Sequence, residues 1–150
     1  MRWDALKRAP MLLHFWRIMT SSFAPSSSKM PHIIIEYTPN LTDLPFDAML
    51  AEVTRRLADS PEVEDEADLK ARVVRADAFR VGLADSQRGF IHVTLRILEG
   101  RTDQAKQDFS QRVADGMLAH MPAFAAGLTV HLSVEVVDMH RASYRKVRLN

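Results

Sequence analysis

The chain of 150 residues contains no cysteine. That absence excludes a disulfide frame, a thiolate nucleophile and a cysteine-ligated metal, and it fits a cytoplasmic protein. An excess of one charge is lacking too: 20 Lys and Arg against 19 Asp and Glu leave a formal net charge of +1. No nucleic acid and no membrane partner is therefore expected, and any anion site has to be local. The apolar piece Met11-Leu12-Leu13-His14-Phe15-Trp16 is far too short to span a bilayer, and Arg17 interrupts it where a secretory signal would continue.

Residues 1–29 differ from the rest. They hold both tryptophans, Trp3 and Trp16, and end in a serine-rich stretch. They read as an appended segment produced by a misassigned start codon, the alternatives being a flexible extension or a targeting peptide. Residues 31–150 are enough for one domain with its own core. Their first residues, Met30-Pro31-His32-Ile33-Ile34-Ile35-Glu36-Tyr37, join a processable methionine to a proline and an apolar β run. A chain begun at Met30 would lose that methionine and expose the secondary amine of Pro31. With residues attached before it, the same nitrogen is a tertiary amide with no proton and no basicity.

Superposing His32 on His92 also brings Thr42 onto Thr102, Asp43 onto Asp103, Val53 onto Val113 and Val74 onto Val134. Each stretch reads as an apolar run, a turn ending in Thr-Asp, an amphipathic segment and a second β-rich run. The pattern predicts an internal duplication, with copies at about 31–79 and 90–138. The unbroken apolar run at residues 32–37 suits a central strand. A turn ending in the capping residues Thr42 and Asp43, with Pro45 in the first turn, predicts a helix to about residue 58. Its stripe is Phe46, Met49, Leu50, Val53 and Leu57.

Residues 69–79 alternate as a strand that carries Arg72 opposite Ala71 and Val73, and residues 80–89 read as a linker. In the second copy a strand is expected over residues 90–98, and Glu99-Gly100-Arg101-Thr102-Asp103 is turn plus cap. A second helix to about residue 121 carries the stripe Phe109, Val113, Met117 and Met121, and a last strand covers residues 128–137. The fold class is thus α/β (α+β): duplicated β-α-β units forming a four-stranded sheet with two helices on one face. The other face, taken as largely apolar, needs a partner, and closed symmetry is the usual answer.

Pro31-His32-Ile33-Ile34-Ile35-Glu36 resembles the mature start of the 5-carboxymethyl-2-hydroxymuconate delta-isomerases. Leu98-Glu99-Gly100-Arg101-Thr102-Asp103 is similar to the Gly-Arg turn of the related 4-oxalocrotonate tautomerases. The resemblance covers Pro31 to the C-terminus and implies a tautomerase-like fold, a homotrimer with the sheets turned inward, and a 1,3-proton shift in a small-molecule dicarboxylate. It also implies that no metal or organic cofactor is needed. Pro31 would be the general base, and Arg101 and Arg72, matching family arginines, would polarise the 2-oxygen and anchor carboxylates. Lys70 stands where the delta-isomerases carry a further arginine. Lys70, Phe79 and His32 are the expected substrate-binding residues.

The chemistry is coherent with these residue types. A proline amine is too basic to serve as a base in water, but desolvation and neighbouring guanidinium groups lower its pKa toward neutrality, where general base catalysis works best. Arg101, between a strand end and a helix start, would add its fork to free backbone N–H groups as an anion site. The histidines predict no metal. His32 and His92 recur through duplication, and His120, His131 and His140 lack metal-site spacing. The basic tail of residues 141–148 is read as a solvated edge rather than a nucleic-acid site. Competing readings are a phenylenolpyruvate tautomerase, a hydratase of small halogenated acids, or a non-catalytic oligomeric module if residues 1–29 stay attached.

Overall fold

The computed structural model describes residues 30–83, 87–147 and 149, so the expectations for residues 1–29 lie outside the described residues. Two β-α-β units follow one another: β1 (His32–Tyr37), α1 (Phe46–Ala58), β2 (Lys70–Arg75), then β3 (Arg88–Leu98), α2 (Asp103–Leu118) and β4 (Thr129–Met139). The sheet order is β2-β1-β3-β4, parallel within each unit and antiparallel between β1 and β3. The two units therefore meet head to tail. The start of β1 lies beside the end of β3, with His32 opposite Arg96.

The expected stripes form the core. Ile33 and Ile35 of β1 and Ile91, Val93, Leu95 and Ile97 of β3 are buried against Met49, Val53 and Leu57 of α1 and Phe109, Val113 and Met117 of α2. Both helices cover the same face and pack on each other at Gly116. A Cβ there would stand 2.9 Å from Val53 Cγ2 and 3.1 Å from its Cα. Val53 is β-branched and stiff, and its backbone cannot give way. Gly116→Ala is therefore expected to destabilise the fold by about 1–2 kcal/mol, overpacking outweighing the gain in helix propensity. Urea denaturation checks this.

Several boundaries move for local reasons. Pro45 is the N-cap of α1 and no side chain caps it, while Asp43 adopts a positive φ of 60°. Thr102 does cap α2, its hydroxyl accepting the Ala105 N–H at 3.2 Å. That helix ends at Leu118, before the Met121 and Pro122 boundary expected from the stripe. The second strand stops at Arg75, short of residue 79, because its only neighbour among the described residues, β1, ends at Tyr37. The third begins at Arg88, inside the expected linker, because β4 pairs with it from Thr129.

The uncovered face is not the apolar surface expected. Strand alternation places His32, Glu36, Lys70, Arg72, His92, Thr94, Arg96, His131, Ser133 and Glu135 there, interspersed with Ile34, Val74, Phe90 and Val137. His92 lies 2.7 Å from Ser133 Oγ and 3.3 Å from Glu135 Oε1 across that surface. The fully buried strand side chains, Ile33, Ile35, Ile91, Val93, Leu95 and Ile97, go to the helix side, where the core needs them.

Candidate active site

Pro31 is buried at the head of β1, where its carbonyl accepts the Lys70 N–H at 3.2 Å. Met30 precedes it, 2% exposed, with its sulfur 3.7 Å from the Tyr144 hydroxyl. In this covalent form the Pro31 nitrogen is acylated by Met30 and is not basic.

The end of β3 brings Arg101 to the same end of the sheet. Gly100, at φ 105°, makes the turn from strand to helix that a side chain would resist. Arg101 Nη1 then donates to the Leu98 carbonyl at 3.0 Å, and its guanidinium lies 5.3 Å from the Phe109 ring centroid. The side chain is only 4% exposed. Nε stands 3.6 Å from Glu62 Oε2, an ion pair too long for a hydrogen bond, and both Nε and Nη2 are buried without a hydrogen-bond acceptor. Burial lowers the Arg101 pKa, opposed by Glu62 and reinforced by Arg141. It remains a cation. Buried donors with no acceptor cost folding energy and mark a place for a ligand.

On the opposite face of the same sheet end are Lys70 and Arg72, in register with His32 and Ile34. Lys70 Nζ reaches the Asp68 carbonyl at 3.3 Å. His32 Nε2 is 3.2 Å from the Tyr144 hydroxyl. Its pKa is lowered first by burial and then by Lys70, Arg72 and Arg96, which together favour the neutral ring. Pro31, Arg101, Arg72, Lys70 and His32 thus gather at one end.

Phe79 does not join them. It meets Phe90 edge-to-face at 6.5 Å and is 38% exposed at the far end of β1, so within one chain it cannot line the Pro31 site. Arg96 and Tyr144 were missed. Nothing in their local sequence shows that β3 runs antiparallel beside β1, or that the segment after β4 folds back over its start. Among the described residues no group of three or more His, Asp or Glu side chains is disposed to hold a metal ion, and no helix is long and apolar enough to cross a membrane.

A duplicated β-α-β sheet, with arginines at the same sheet end as the proline that opens its first strand, has a tautomerase-like fold. A family model described as 5-carboxymethyl-2-hydroxymuconate isomerase matches residues 31–149, and the chain belongs to that family. It is 28% identical over 116 residues to the 5-carboxymethyl-2-hydroxymuconate Delta-isomerase of Escherichia coli, covering 74% of this chain and 88% of that protein. Among solved structures it is similar to a 5-carboxymethyl-2-hydroxymuconate isomerase from Deinococcus radiodurans R1, with a TM-score of 0.74 and 24% identity over 81% of this chain and 92% of the other. A fused 4-OT wild-type symmetric trimer is similar at a TM-score of 0.53 and 15% identity, over 74% and 87% of the two chains. These structural likenesses show the shared fold.

Proposed function

We propose that the chain isomerises 5-carboxymethyl-2-hydroxymuconate or a similar 2-hydroxydienoate dicarboxylate in the degradation of aromatic compounds. The amine of Pro31, freed by removal of the residues before it, is the general base. It takes the proton of the 2-hydroxyl and returns it to a carbon further along the conjugated chain, giving the unsaturated 2-oxo acid. Arg101 donates to the 2-oxygen and its neighbouring carboxylate as negative charge develops. Arg72, with Lys70 and His32 beside it, anchors the other end. The observation that carries this reading is the pair of unsatisfied Arg101 donors buried at the sheet end where Pro31 begins. Cations on both sides of that end suit a substrate with two anionic ends.

The test compares a 2-hydroxydienoate dicarboxylate with phenylenolpyruvate, followed by ultraviolet absorbance with protein beginning at Pro31. The dicarboxylate is expected to be turned over with kcat/KM at least about tenfold higher, one lost charged contact being enough for that ratio. Equal or better turnover of the monocarboxylate would instead make the chain a phenylenolpyruvate tautomerase.

The active form in this proposal is a cytoplasmic homotrimer. The resemblance of the fold to a fused 4-OT trimer supports it, and so do the edges of β2 and β4, which have no strand beyond them among the described residues. In such an assembly Phe79 contributes only to a neighbour's site. Sedimentation at micromolar concentration is expected to give a trimer, and a stable monomer would remove that role for Phe79.

A further inference from the structure

The turn that carries Arg101 is not fixed by its own residues. Gly100 adopts a φ of 105° at no steric cost, and the same freedom lets it leave that conformation. The Arg101 side chain has one hydrogen bond of its own, from Nη1 to the Leu98 carbonyl, besides the Phe109 ring and the long ion pair with Glu62. Where its two other buried donors point therefore depends on what holds the backbone between Leu98 and Thr102.

That hold comes from the segment after β4. The Glu99 N–H donates to the Met139 carbonyl at 3.1 Å, the Arg141 N–H donates to Glu99 Oε1 at 3.0 Å, and Arg141 Nη2 donates to the Glu99 carbonyl at 2.7 Å. Arg141 thus grips Glu99 by side chain and backbone at once, and both contacts are charge-assisted. A Cβ on Gly100 would lie 3.8 Å from Arg141 Nη2, so the guanidinium rests against the turn without crowding it. Downstream, the Thr102 cap closes the turn onto α2. The basic tail, read from the sequence as a solvated edge, therefore has one cation committed to the backbone that presents Arg101. Three residues further on, the Tyr144 hydroxyl meets the Met30 sulfur, so one short segment runs from the Arg101 turn to the residue bonded to Pro31.

We propose that Arg141 is a positioning residue for Arg101: acting through Glu99, it fixes the Gly100 turn so that the Arg101 fork is presented in one geometry. That this geometry serves a reaction rests on the isomerisation proposed above; the dependence of Arg101 on Arg141 does not. In the full chain, hydrogen exchange of the Arg101 Nε–H is followed by NMR, with the Val93 and Leu95 amides of β3 reporting global opening. Exchange at Arg101 is expected to be faster by about tenfold or more in Arg141→Ala and in Glu99→Ala, the loss of one charge-assisted hydrogen bond. Glu99→Gln keeps the slow exchange, because its amide oxygen still accepts the Arg141 N–H. Were the effect one of charge alone, Gln would behave as Ala does.

In turnover by protein with a free Pro31 amine, Arg141→Ala is expected to lower kcat by about 10–10²-fold, the effect of a displacement of about 1 Å, and to leave KM within about threefold. Added to Arg101→Met it costs nothing further, since its effect passes through Arg101. Arg55→Ala, whose guanidinium pairs with Glu52 and Asp59 on α1, changes neither readout. Faster exchange at Arg101 in a protein with no turnover upholds the positioning and overturns the isomerisation. Exchange at Arg101 indifferent to Arg141→Ala overturns the positioning, as does an equal acceleration at Val93 and Leu95, which makes Arg141 a contributor to global stability only. A full additional loss of kcat on top of Arg101→Met overturns it too, because Arg141 then acts without Arg101.

Discussion

A chain whose first residue is Pro31 is expected to isomerise the dicarboxylate, whereas the same chain retaining Met30 is expected to be slower by about 10²–10⁴-fold, the usual contribution of a positioned general base. The loss has two causes. Acylation removes the basic lone pair of the nitrogen, because a tertiary amide neither accepts nor carries the proton. The Met30 side chain, 2% exposed against Tyr144, also fills space next to the place where that lone pair would point. Methionine removal restores both base and room, so activity should appear in proportion to the fraction of chains with a free Pro31, measured by intact mass. Equal activity in the Met30 form would eliminate Pro31 as the base.

Replacing Arg101 by Met is expected to lower kcat/KM by about 10²–10³-fold, the cost of losing one preorganised donor to developing charge. Stability should move little or improve, by within about 1 kcal/mol. The Arg101 guanidinium is buried over Phe109 with two donors unmade, and an apolar side chain of similar length removes that desolvation cost. Such opposite effects are what a ligand-directed arginine produces. Arg101→Lys should not rescue the rate, because an ammonium cannot reproduce the two-pronged geometry of the fork. Kinetics paired with thermal denaturation check both halves. A stability loss above about 2 kcal/mol with a normal rate would make Arg101 a structural member of the contact with Glu62.

Much of the layout was legible because it is encoded locally. The apolar run from His32 to Tyr37, the stripe of Met49, Val53 and Leu57, its repeat in Phe109, Val113 and Met117, and the Thr102 cap each answer to a period of two or 3.6 residues or to one hydrogen bond. The duplication also indicates that one chain holds one site. Superposing the copies puts Ile91 where Pro31 stands and Leu41 where Arg101 stands, so the second copy has no amine to offer and the first has no arginine at its turn.

What was not legible depends on groups distant in the chain. The uncovered face was expected to be apolar, yet alternation puts Ile33, Ile35, Ile91, Val93 and Ile97 toward the helices and leaves His32, Arg72 and Arg96 on the other side. Phe79 follows the second strand closely in sequence, but a parallel strand carries it to the end remote from Pro31. Local patterning was enough to establish the two β-α-β units, their core stripes and the proline and arginine worth watching, because short-range periodicity decides which face of an element is buried. Only tertiary structure decided that β1 and β3 run antiparallel and that Tyr144 folds back over Met30. Those pairings depend on which distant strands meet, and they alone bring Arg72, Arg96 and Arg101 to the two sides of the sheet end where Pro31 begins.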